Sequence, residues 1–150
     1  MIKRQGFTLF EMLLVLFVVT SFVLLPTLAI GKWHSKLTQN FFFYRIEKSL
    51  LHFQQLAITQ GTRSSVYLSK ENQELIFMIA NDPEAKKNIS LPEDIRLLNN
   101  SYTIYFKSGT GNISISKSPG SFSNIIFKQL STDKQIIYQF MLGSGRFERK

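Results

Sequence analysis

No cysteine occurs among the 150 residues, which removes disulfides, thiolate nucleophiles and cysteine-ligated metals from consideration. Histidine is scarce: His34 and His52 are the only two. Neither has a carboxylate or a second histidine at metal-ligand spacing, so both read as surface or packing residues, and no metal or cofactor is expected. There is no G-x-S-x-G elbow and no phosphate-binding P-loop. Gly109-x-Gly111 lacks the third glycine of a dinucleotide site and stands between strand patterns, so it reads as a hairpin turn. Glu93-Asp94 is the nearest approach to a catalytic carboxylate pair, and behind Pro92 it reads as solvated loop. The inventory points away from an enzyme. Acidic residues are also few: 10 Asp and Glu against 18 Lys and Arg leave a net charge of +8. That balance suits anionic partners such as lipid headgroups, cell-wall polymers or nucleic acid. A chain of this length has room for one modest domain.

What the chain does have is apolar residues crowded at one end. From Met12 to Ile30 no residue is charged, and an apolar run near 20 residues matches the roughly 30 Å bilayer core. Lys3 and Arg4 precede the run and Lys32 and Lys36 follow it, so loop charge leaves the orientation nearly undecided. A secretory signal peptide is one reading, cut after Ala29 in Thr27-Leu28-Ala29. Against it stand the length of the run, beyond the usual 7–15 residues or so, and Glu11 at its beginning. A carboxylate there costs up to about 2.5–3.5 kcal/mol at the bilayer centre and less at the edge. An export signal gains nothing from it; an assembly site does.

The stretch Gly6-Phe7-Thr8-Leu9-Phe10-Glu11-Met12-Leu13-Leu14-Val15-Leu16 closely resembles the class III signal of type IV pilins and pseudopilins. The resemblance implies that a prepilin peptidase cuts between Gly6 and Phe7 and N-methylates Phe7. It further implies that Glu11 accepts the amino terminus of a neighbouring subunit during assembly, after membrane lipid has held the subunit in reserve. A buried pair of that kind sets axial register more reliably than it adds stability. Pro26, inside the run, is expected to kink the helix or melt it locally; pilin helices resemble this in carrying a proline near the same place.

Beyond Gly31, Trp33 suits a headgroup belt and Lys32 and Lys36 can snorkel. Phe43, Ile46, Leu50, Phe53 and Ala57 recur at helical spacing on one face, and Gly61 is the expected stop. The expected helix runs from about Thr8 to Gln60. Phe42 and Tyr44 fall outside the main stripe and are open to domain packing or to contact with neighbouring subunits. After Gly61 the period becomes two. Strands are expected at Ser65–Leu68, Glu74–Ile79, Tyr102–Phe106, Asn112–Ser116, Ile125–Lys128 and Gln135–Met141. Ser118-Pro119-Gly120 reads as one of the turns between them, and Asn81 to Pro92 reads as a long loop. The expected class is α+β, a long N-terminal helix packed on a small antiparallel β-sheet domain. Its parts are a leader over 1–6, a transmembrane and assembly helix over 7–31, an amphipathic continuation over 32–61 and a β-rich extracytoplasmic domain over 62–150.

Two further segments narrow the family. Tyr105-Phe106-x-Ser108-Gly109-x-Gly111-Asn112-Ile113-Ser114-Ile115 resembles the paired strands and glycine turn of minor pseudopilins in the GspH/FimT group. Tyr138-Gln139-Phe140-x-x-Gly143-x-Gly145-Arg146 resembles that group's closing strand and glycine-arginine tail. With the short leader and the lack of cysteine, the chain looks most like the ComGD-type minor pseudopilins of competence systems. The resemblance implies a single-pass membrane protein, N-terminus cytoplasmic, that joins other pseudopilins in a surface pseudopilus and aids uptake of extracellular DNA. It also offers Arg146, Arg149 and Lys150 as DNA contacts, with Lys128 and Lys134 extending the patch, although the arginines are spaced one residue wider than in FimT-like tails. The competing reading of the tail is a solvated end, with Arg146 pairing locally. Competing functions are a subunit of another pilus or secretion pseudopilus, serving adhesion or protein export, and a secreted soluble binding domain.

Overall fold

The computed structural model describes residues 8–80, 82–115, 124–141 and 144–150, without the side chains at 25–30, 32 and 83. Among these residues one helix, α1 (Leu9–Thr59), is followed by nine strands: β1 (Ser64–Ser69), β2 (Glu74–Ile79), β3 (Asp82–Ser90), β4 (Ile95–Leu97), β5 (Tyr102–Phe106), β6 (Ile113–Ile115), β7 (Asn124–Gln129), β8 (Gln135–Phe140) and β9 (Phe147–Arg149). The class is α+β, and among the described residues every strand pairing is antiparallel. The chain divides into two units, Met1–Thr38 and Gln39–Lys150.

Within the first unit every described apolar side chain from Leu9 to Leu24 is exposed. A helix apolar on all sides has no face of its own to bury. Its hydroxyls are satisfied inside the helix: Thr20 Oγ1 donates to the carbonyls of Leu16 and Phe17, and Ser21 Oγ to that of Phe17, at 2.8–2.9 Å. Among the described residues no helix is long and apolar enough to cross a membrane. The side chains at 25–30 and 32, which belong to the expected span, lie outside the described residues. Of the two outcomes expected at Pro26, a kink or local melting, the melting is absent. The helix runs through Pro26 unbroken, because a proline removes only its own N–H from the ladder while neighbouring bonds persist; the proline ring itself lies outside the described side chains.

The second unit has a single core. Phe43, Ile46, Leu50, Phe53 and Ala57, the expected stripe, are all buried, and so is Phe42; Tyr44 is exposed. Phe42 therefore packs into the domain while Tyr44 faces away from it. Phe42 and Phe43 each meet Phe127 of β7 edge-on at 5.8 Å, and Phe53 meets Phe77 of β2 at 5.1 Å. The stripe thereby serves two sheets rather than one: a five-stranded sheet in the order β3-β2-β1-β5-β6 and a four-stranded sheet in the order β4-β7-β8-β9. Tyr102 of the first ties onto the second, its hydroxyl donating to the Asn124 carbonyl at 2.8 Å. Burial pushes the ionisation of that phenol up to about 12, so it stays a donor at physiological pH.

Three strands lie where none was expected. The long loop assigned to Asn81–Pro92 contains β3, which pairs with β2 through a register shift between Phe77 and Ile79; Asn81 itself is outside the described residues. Being an edge strand, β3 tolerates Pro83 and its exposed charges. The short β4 pairs with β7, and β9 pairs with β8, so the tail is a closing strand and not a solvated end. The expected turn at Ser118-Pro119-Gly120 and the end of its preceding strand at Ser116 lie outside the described residues. At the helix end Gly61 takes φ +61° and stops α1 as expected.

Candidate assembly and nucleic-acid contact residues

The helix begins with a reciprocal cap. Glu11 Oε2 accepts the Thr8 N–H at 2.9 Å and the Thr8 hydroxyl at 3.1 Å, while Thr8 Oγ1 accepts the Glu11 N–H at 3.3 Å. This is a capping box, Thr8 at the N-cap and Glu11 three residues on, and it satisfies donors that the first turn otherwise leaves unpaired. The T-x-x-E spacing before an apolar run was the available signal. Glu11 thus has a local structural role alongside any role in assembly. The processing residues Gly6 and Phe7, like Lys3 and Arg4, lie outside the described residues.

The two glycine-bearing segments, distant in sequence, meet in space around Gln54. Gly109 donates its N–H to the Ala57 carbonyl at 2.9 Å, so the β5–β6 turn caps one of the last open carbonyls of α1. Gln54, buried on the helix, donates from Nε2 to the carbonyls of Gly111 at 3.3 Å and Ser144 at 3.0 Å. That amide joins the β5–β6 turn to the β8–β9 turn. Gly145 fits there because it has no side chain: a Cβ would lie 2.2 Å from the Gly111 carbonyl oxygen. Gly143 lies outside the described residues.

The tail arginines have separate fates. Arg149 contacts Glu47 Oε1 at 3.4 Å and holds its guanidinium 4.5 Å over the Phe43 ring. The same carboxylate oxygen accepts the buried Tyr138 hydroxyl at 2.8 Å. Burial first, then this bond and the carboxylate's charge, push the Tyr138 phenol well above its ordinary value, with Arg149 opposing. Arg149 is therefore the residue that pairs locally, locking β9 onto α1. Arg146 is exposed and makes no ion pair among the described residues, while exposed Lys150 donates to Gln139 Oε1 at 2.8 Å. Lys128 is held by Asp133 at 2.6 Å, so it does not stand open as an extension of the patch; Lys134 is exposed. His34 and His52 are exposed, and His52 stands edge-on to Phe53 at 5.6 Å.

Asp94 overturns the solvated-loop reading. Its carboxylate accepts the Ser131 N–H at 2.8 Å, the Ser131 hydroxyl at 2.6 Å and the Gln39 amide, and Gln39 Oε1 in turn accepts from Gln129 at 2.7 Å. The Leu130 N–H donates to the Asp94 backbone carbonyl at 2.8 Å. Sequence adjacency suggested a pair with Glu93, but the partners come from distant turns that no local pattern reveals; Glu93 itself is exposed. Asp94→Ala is expected to lower unfolding stability by about 1.5–3 kcal/mol, because three donors lose a charged acceptor. Denaturant titration of both proteins measures the loss, and a change below about 0.5 kcal/mol, the range of ordinary surface substitutions, would show the network to be ornamental.

No known family, curated protein or solved structure matches the chain.

Proposed function

We propose that the protein is a minor pilin-like subunit of a competence pseudopilus, serving DNA uptake without catalysing a reaction. The observation that carries the reading is the segment from Leu9 to Leu24, whose apolar side chains face outward on every side and whose one carboxylate, Glu11, stands at its start. Such a segment suits lipid before assembly and a bundle of like helices after it. In this reading the span continues through 25–31, the N-terminus is cytoplasmic, and the domain lies outside the membrane. Prepilin peptidase removes residues 1–6 and methylates Phe7, and Glu11 then receives the amino terminus of an adjoining subunit. The outward helix residues Phe41, Tyr44, Leu51 and Ile58, all exposed, offer neighbouring pseudopilins an apolar surface. Arg146 and Lys150 remain the accessible cations of the tail for DNA.

The expected mass-spectrometric result for the mature protein is an N-methylated chain beginning at Phe7. A chain beginning at Ile30 would eliminate the pilin reading in favour of a secreted domain. A deletion strain is expected to lose transformation. Normal transformation with impaired secretion or adhesion would move the subunit to a different filament.

A further inference from the structure

The outward face of the five-stranded sheet carries chemistry that neither the leader nor the tail uses. Val66 and Leu68 of β1 are buried in the core, so alternation turns Arg63, Ser65 and Tyr67 the other way. Register places Ser65 opposite Met78 and Tyr105, and Tyr67 opposite Ile76 and Thr103. Arg63 and Lys107 each lie one residue beyond the Ser64–Phe106 pair, just past the paired ends of β1 and β5. The Arg63 guanidinium lies 5.8 Å from the Tyr105 ring centroid. Both cations are exposed, and neither makes an ion pair among the described residues. Glu74 is at the opposite end of β2, and Asp82, across β2, accepts the Ala85 N–H at 3.2 Å, with no ion pair to either cation among the described residues. Two exposed cations at the same end of one sheet raise the local potential and favour an anion there.

We propose that this face docks single-stranded nucleic acid, with successive bases stacking on Tyr67 and Tyr105 and phosphates held by Arg63 and Lys107. Cross-strand diagonal neighbours on one face stand about 7–8 Å apart, near enough for two adjoining bases. Half-buried Ile76 and Met78 extend the floor beside the rings. Aromatic platforms edged with cations bind single strands with little sequence preference, since every base has a stacking face. Tyrosine also suits a lipid headgroup belt, and the vesicle arm of the test separates that occupant from nucleic acid. The proposal rests on the DNA-uptake reading for its biological sense, but its test does not.

The test uses the full-length protein in neutral detergent, with a labelled oligothymidylate followed by fluorescence anisotropy at low salt. Tyr67→Ala and Tyr105→Ala are each expected to weaken binding about fivefold to a hundredfold. Phenylalanine at either position should hold affinity within about twofold, because stacking survives. Arg63→Gln with Lys107→Gln should reduce the log–log salt slope by about 1.4 on single strands. Circular dichroism checks each fold; should an alanine variant unfold, the exposed cation pair and the phenylalanine variants decide alone. Unchanged affinity in the tyrosine-to-alanine variants overturns the proposal. So does loss of binding only in Arg146→Ala/Lys150→Ala, which assigns the contact to the tail, or a preference for phosphatidylglycerol vesicles that the same platform variants abolish. Failure of the platform beside an N-methylated Phe7 leaves the pseudopilin reading standing; platform binding without that processing does the reverse.

Discussion

Glu11→Ala is expected to disappear from sheared surface filaments while remaining in the membrane fraction, and Thr8→Ala is expected to assemble. The two substitutions damage the same capping box, so a comparison of them separates cap from charge. Losing a cap costs about 0.5–2 kcal/mol of helix stability. At the end of a 51-residue helix that cost falls on the first turn and leaves the remainder intact. In the proposed filament, losing the carboxylate would strand a neighbour's positive amino terminus in a low-dielectric bundle, a penalty of about 3–5 kcal/mol, or a hundredfold and more in incorporation. Glu11→Gln sharpens the distinction. Glutamine can still reach back to the Thr8 N–H but carries no charge, so it should fail to assemble as alanine does. Membrane insertion should be retained by all three variants: the two at Glu11 remove a carboxylate, which eases burial, and Thr8→Ala removes only a hydroxyl. Wild-type incorporation of Glu11→Gln would show that the residue serves the helix start and nothing more.

The capping box illustrates what was legible in the sequence and what was overlooked. The apolar run, the helical repeat and Gly61 together located α1 to within a residue at either end, and the five residues expected on its inner face are all buried. The six expected strands coincide with β1, β2, β5, β6, β7 and β8 through a repeat at period two. Glu11 drew attention as a charge in an apolar setting, and its partner Thr8 stood three residues away in plain view.

The strands that went unseen share a physical cause. β3 is polar and charged and begins beside a proline, which are marks of an edge strand as much as of a loop. β4 and β9 have three residues each, too few for a period to register. Their place is set by partners, not by their own composition: Phe147 closes over Tyr138 and Phe140 at 5.8 Å, and Arg149 reaches Glu47 across the fold. Asp94 is a third case. The sequence offered Glu93 as its companion, whereas Ser131 and Gln39 are the residues it holds. Tertiary pairing of this kind leaves no trace in local pattern, and it is also why the wide spacing of Arg146 and Arg149 acquires meaning only in three dimensions: one arginine is spent on the fold and the other is left to solvent.

The glycine of that same tail should be the most sensitive position in the domain. Gly145→Ala is expected to lower stability by about 3–6 kcal/mol, from three sources. Its φ of +64° costs a side-chain-bearing residue about 1–2 kcal/mol. A Cβ would stand 2.2 Å from the Gly111 carbonyl oxygen and 2.5 Å from Gln54 Nε2, and backbone cannot yield there without separating the two turns. Separation breaks the Gln54 bridge to Gly111 and Ser144 and strands a buried amide at about 1–3 kcal/mol. Gly111→Ala makes the control. It shares a positive φ, +66°, but its contacts are with side chains, Ile58 at 2.8 Å and Gln54 Cγ at 3.1 Å; Ile58 is partly exposed and can turn away, and Gln54 has to give by a few tenths of an ångström. Its expected cost is a small displacement of Gln54 added to the backbone term of about 1–2 kcal/mol. Gly109, with φ +75° and open space around its missing Cβ, should lose no more than that. Thermal melts should therefore rank the variants with Gly145→Ala lowest, by about 10 °C or more relative to the other two. Limited proteolysis distinguishes how the strain is relieved: cleavage confined to the last residues means that β9 detaches and frees Arg149, and cleavage throughout means that the core fails with it. A Gly145→Ala protein as stable as Gly109→Ala would show that the two turns do not meet at Gln54.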